Sequence, residues 1–357
     1  MIKGKSLIDL ATEIERQTEA ARDFVVPAAQ LTMTDDARLI TPTGANTTEA
    51  LDLTDDAHGQ MATRLDIPRG YYDRMRREAP ELLATNANRW LHDGESNRLM
   101  VRTLDGRARA LLSDRYRRID NYQILSAALP ALRDAGVELK SCDVTDRNLF
   151  LQAVFPRVEG EVKVGDVVQA GFILRNSETG FGALDISPLV YRLVCTNGMV
   201  RGSDAGMGRL RKTHLGRKVQ GDENFAVYAE DTLEADDRAL MLKIRDSIKA
   251  LSDPALFFDL INKMRTAATE TETVVRPVAA VEELGKTFGL SKLEREATLT
   301  ALIRDGDYSL YGAMNAVTNI ANTAASYDRA IELETIGGRI LDLSRKDWSR
   351  IALAEAA

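Results

Sequence analysis

The chain has 357 residues, 44% hydrophobic and 28% charged, with a net charge of −7. At roughly 100 to 200 residues per domain, this allows two or three units with real cores and excludes a disordered or Pro-rich chain. The acidic balance argues against a surface that binds polyanions everywhere, but a local basic face remains open.

Met1–Lys5 is followed by Asp9, Glu13 and Glu15, unlike a secretion signal. No apolar run approaches the roughly 20 residues that span a bilayer. The two cysteines, Cys142 and Cys195, suggest a reducing compartment, although sequence leaves a disulfide between them open. A soluble, cytoplasmic protein with no membrane partner is therefore expected, and the sequon at Asn46-Thr47-Thr48 reads as an accident.

Residues 1–90 read as a mostly helical region. Leu7, Leu10, Ala11 and Ile14 repeat at helical spacing, and residues 31–53 read as loops or short strands. A helix follows Asp56, with Met61, Leu65 and Ile67 behind it; Pro68 and Gly70 interrupt, and helical character resumes from Tyr71 to Trp90. Residues 91–218 read as an α+β core. Arg98 to Leu112 predicts a hairpin turning at Asp105-Gly106, and Asn121 to Ala135 a helix ending at Gly136. Asn148–Phe155, Val167–Arg175 and Leu189–Thr196 are strand candidates. Residues 219–357 read as helical, with a loop near Glu270–Pro277 and an apolar face at Ala313, Ala316, Val317 and Ile320. The expected fold class is α+β: an antiparallel or mixed sheet with a packed helix, flanked by helical regions.

No catalytic residue, metal site or cofactor is predicted. His58, His92 and His214 lack paired ligand spacing, and neither cysteine lies in a CxxC. Residues 280–287 fit a relaxed phosphate-loop pattern, but Glu282 and Glu283 would face the phosphate, and Gly285 reads better as a helix end. Gly202, Gly206 and Gly208 do not form a dinucleotide fingerprint.

The positive signal is arginine. Between residues 98 and 118 there are seven arginines and two aspartates. In a two-residue hairpin, strict alternation puts Arg98, Arg102, Arg107 and Arg109 on one face with Met100, Leu104 and Leu111. Leu99, Val101, Thr103, Ala108, Ala110 and Leu112 form the other, core-facing side. Arg102 and Arg109 would stand side by side in solvent. Arg115, Tyr116, Arg117 and Arg118 follow, offering bidentate phosphate contact and a stacking ring. A second basic stretch holds Arg201, Arg209, Arg211, Lys212, Arg217 and Lys218 among glycines. Against both stands the reading that these cations pair internally with carboxylates or lie on a solvated loop.

Several stretches resemble a family of phage- and plasmid-associated proteins of unknown function (the DUF932 type). They are Leu65-Asp66-Ile67-Pro68 with Tyr71-Tyr72, residues 86–91 (NANRWL), 113–121 (SDRYRRIDN), 190–198 (VYRLVCTNG) and 311–318 (YGAMNAVT). That resemblance implies a mobile-element setting and carries no activity to particular residues. A looser one is to single-strand annealing proteins of phage recombination, which place a hairpin and helix beside a basic groove and self-assemble. The leading expectation is a protein that binds nucleic acid, single-stranded DNA above all, as a homo-oligomer. Alternatives are a factor that binds a host protein through its acidic helices to block defence or regulation, and a nucleic-acid-processing enzyme.

Overall fold

The computed structural model describes residues 4–93, 98–194, 197–201, 209–214 and 230–355. Helix α1 (Leu7–Ala20) opens the chain; the Ser6 hydroxyl accepts from the Asp9 N–H and caps it. Four short strands follow: β1 (Arg22–Pro27), β2 (Thr32–Met33), β3 (Leu39–Gly44) and β4 (Thr47–Leu53). Next come α2 (Asp55–Arg64), capped by Thr54, then α3 (Arg69–Glu78) and α4 (Pro80–His92). The hairpin β5 (Arg98–Leu104) and β6 (Arg107–Ser113) completes a sheet of order β1-β5-β6-β4-β3-β2, antiparallel except where β4 runs parallel to β6.

Helix α5 (Asn121–Asp134) leads into β7 (Glu138–Val144), β8 (Leu149–Glu161), β9 (Val167–Asn176), β10 (Leu184–Arg192) and β11 (Asn197–Val200), an antiparallel sheet in reverse order. The short β12 (Leu210–Lys212) pairs with the start of β10. The rest is helical: α6 (Glu230–Ala250), α7 (Pro254–Thr269), α8 (Pro277–Phe288), α9 (Lys292–Asp305), α10 (Leu310–Ile320), α11 (Tyr327–Leu341) and α12 (Arg345–Ala352). The fold is α+β.

Each sheet has its own core. Leu31, Leu39, Leu51, Met61, Tyr72, Leu83, Leu99 and Val101 bury the first sheet against α2, α3 and α4. Leu151, Phe172, Ile244, Ile261, Met314, Val317 and Ile336 bury the second against the C-terminal helices. Strands β8 and β9 read as continuous apolar runs because both faces are covered: Phe150 and Ile173 turn the other way, onto Tyr327 and Ile331 of α11. Helix α1 belongs to the second core through Leu10 and Ile14, so the chain crosses from the second body to the first near residue 21 and returns after residue 113.

Several expectations hold locally. Asp105 and Gly106 both have positive φ, as a two-residue hairpin turn requires, and Gly136 (φ 62°) follows α5. Residues 31–53 form β2 to β4. Two expectations are corrected. The residue that ends α8 is Gly289 (φ 69°), while Gly285 sits inside the helix, where the Arg295 side chain fills the space a Cβ would need. Strand β10 begins at Leu184 rather than Leu189, and Cys195 and Thr196 lie outside the described residues.

Candidate nucleic-acid interface

The predicted hairpin forms, but its register is broken. Leu104 faces Arg107 and Thr103 faces Ala108, after which Arg102 faces Ala110. Arg109 is therefore the extra residue of a β-bulge, and every later side chain in β6 changes face. Leu111 joins Leu99 and Val101 beneath α2, α3 and α4, whereas Met100, Ala110 and Leu112 pack with Val25 and Tyr116 on the opposite side. Both faces of the hairpin are covered, which corrects the expectation of one solvated arginine face.

Arg102 shows the consequence. Its side chain is 3% exposed, with Nε 3.1 Å from Asp23 and Nη2 2.7 Å from Asp120, while Nη1 donates to the Glu178 carbonyl. Arg109 donates to Glu178 Oε2 at 2.6 Å, and Glu178 Oε1 accepts the Asn121 N–H at the start of α5. Arg117 pairs with Asp236 and Asp237 on α6, and Arg209 with the buried Asp185. The Tyr116 ring lies parallel to His214 at 5.0 Å, and its hydroxyl donates to the Ser177 carbonyl. These five residues are engaged internally.

Arg98, Arg107, Arg115 and Arg211 are exposed, and among the described residues they carry no ion pair; Lys212 is half-buried. Arg118 is largely exposed and holds Asp23 only loosely, at 3.5 Å. Arg201 is 3.7 Å from Asp342. Arg217 and Lys218 lie outside the described residues, as do Gly202, Gly206 and Gly208.

The internal contacts converge on the loop between β9 and β10. From the first body, Arg102 reaches the Glu178 carbonyl, Tyr116 that of Ser177, and Gln60 that of Thr179. From the second body, the Ser177 and Thr179 hydroxyls donate to the Arg147 carbonyl. Asn176 donates to the Ile119 carbonyl and lies 3.0 Å from His214 Nε2. Burial lowers the His214 pKa, as it does that of His58, held down to about 4.

A cavity flanks this loop on each side. The smaller, about 180 Å3, lies where the chain crosses between bodies, among Asp23, Arg102, Arg109, Arg118, Asp120 and Glu178, three cations against three carboxylates. The larger is an open groove of about 940 Å3 between α2, α3 and the loop. Its walls carry Asp55, Asp56, Gln60, Thr63, Arg64, Arg69, Asp73, Arg147 and Phe181. The Phe181 ring is 42% exposed, with the Arg147 guanidinium 4.6 Å from its centroid. Arg147 also pairs with Asp56. Arg64 has no carboxylate within ion-pair distance among the described residues, and desolvation lowers its pKa.

Phe181, Arg147 and Arg64 were not among the sequence candidates. The available signal was Gly180-Phe181-Gly182, an aromatic side chain held between glycines in a loop joining two strands. Among the described residues, no group of three or more His, Cys, Asp or Glu could hold a metal ion, and no helix is long and apolar enough to cross a membrane.

The molecule is thus a two-sheet α+β protein whose bodies are joined by a buried polar loop with a groove beside it. The chain belongs to the family described as a domain of unknown function (DUF932), whose model matches residues 109–338. The match begins at the bulge residue of β6 and covers most of the second body. Comparison with curated proteins and with solved structures finds no match.

Proposed function

We propose that the protein binds single-stranded nucleic acid in the groove between α2, α3 and the loop that carries Phe181. The observation that carries this reading is the exposed Phe181 ring faced by Arg147, with Arg64, which has no ion pair among the described residues, in the same groove. An accessible aromatic face stacks on any base, and arginines beside it contact the backbone and the ring edges. The exposed Arg98, Arg107, Arg115, Arg118 and Arg211 add positive potential, while Arg102, Arg109, Arg117 and Arg209 hold the scaffold. Self-association and a mobile-element setting belong to this reading as proposals of the same rank.

The test is fluorescence anisotropy with labelled oligothymidylate and with a duplex of equal length, at two salt concentrations. Single strands should bind more tightly than duplex. Phe181→Ala should weaken single-strand binding by about 1–3 kcal/mol, the value of one stacked base. Equal binding of both forms, or an unaffected Phe181→Ala, would count against the groove.

A further inference from the structure

Helix α3 forms one wall of the groove with Arg69 and Asp73. Successive helical residues turn by about 100°, so the positions beyond this wall are Arg77, Gly70, Arg74, Glu78 and then Tyr71 on the far side of the helix, before the buried Met75 and Tyr72 and then Arg76 lead back to it. Tyr71 is 52% exposed, and the Arg74 and Arg77 side chains stand well out in solvent. Helix α4 packs against α3 and adds Trp90, 55% exposed, with Arg89 beside it in sequence. Two large aromatic rings left in water among arginines form no part of either core.

We infer that the strand bound in the groove continues over the outer side of α3 onto α4, with bases stacking on Tyr71 and Trp90. This inference rests on the proposed binding of single strands. Charge supports it: among the described residues, the ion pairs of Arg74, Arg77 and Arg89 are with the exposed Glu78 and Asp93, weak pairs that a phosphate can replace. Continuity supports it too, because α3 is at once the groove wall and the carrier of Tyr71. Stacking on aromatic side chains tolerates any base, so the surface would lengthen the site without adding sequence preference.

The experiment compares an oligothymidylate of about 6 nucleotides with one of about 20, bound to the full chain. The long strand should bind at least tenfold more tightly. Tyr71→Ala and Trp90→Ala should each remove several-fold of that gain and leave short-strand binding unchanged, while Tyr71→Phe and Trp90→Phe should retain it. Both residues are exposed, so melting temperatures should match the wild type, and a lowered value would be read through the Phe variants. Phe181→Ala, in contrast, should weaken both strands. Equal affinity for the two lengths, or a length gain untouched by both Ala variants, overturns the inference and assigns the aromatic surface to another partner. If only the long strand binds and depends on Tyr71 and Trp90, the helical surface stands and the groove reading falls.

Discussion

Arg102 changes role between sequence and structure. In sequence it stands in a basic stripe; in the fold it is the buried cation that compensates Asp23 and Asp120. Arg102→Ala leaves the buried Asp23 with only its loose Arg118 contact and takes a partner from the part-exposed Asp120; breaking a buried pair costs about 3–5 kcal/mol, so a loss near the lower end of that range is expected. Melting should show that loss directly, and a neutral result would mean that both acids reach solvent. Glu334 supplies a second test. It is completely buried on α11, Gln152 Nε2 donates to it at 2.5 Å, and burial raises its carboxyl to about 7. A carboxyl raised above its unfolded value is protonated in the fold, so its contribution is present below the unfolded pKa, near 4.5, and is lost as pH rises towards 7. Glu334→Gln should remove that decline from a melting series between pH 5 and 7.5. An unchanged decline would place its origin elsewhere. His58 and His214, both lowered by burial, act in the opposite sense and weaken the fold as pH falls below the ordinary histidine range.

Among the elements, the hairpin shows how far pattern reading reaches. Asp105-Gly106 identified the turn because its chemistry is local: two consecutive positive φ values need those residue types. Gly106 has open space where a Cβ would go, so Gly106→Ala isolates backbone strain and should cost about 1–2 kcal/mol by thermal melting. The bulge at Arg109 was not legible, since alternation assumes an unbroken register and one inserted residue reverses every later face. The exposed arginine face failed for that reason and for a second: of its counter-ions, Asp23 and Glu178 come from distant segments and Asp120 from just beyond the hairpin. The C-terminal helices were legible because 3.6-residue periodicity is also local. Tyr311, Met314 and Val317 of α10 and Leu333, Ile336 and Ile340 of α11 line the second core. Deleting residues 300–357 should therefore give an insoluble or unfolded product in a solubility and circular-dichroism assay, and a folded truncation would contradict the packing.

For the whole molecule, the two bodies share contacts on the β9–β10 loop, beside the Arg147–Asp56 and Arg16–Asp105 pairs, and the groove lies where that loop faces α2 and α3. Its key residues are far apart in sequence, so composition and spacing could point to arginine-rich segments but not to Phe181, Arg147 and Arg64 together. The most direct measurement is the salt dependence of oligothymidylate affinity for the wild type, Phe181→Ala and Arg64→Ala, recorded side by side. The account predicts measurable binding and a parallel drop in affinity for Phe181→Ala. For Arg64→Ala it predicts a slope of log K against log salt flatter by about 0.7, one phosphate contact on a single strand. Absent binding, or affinity and slope identical in all three proteins, would contradict it.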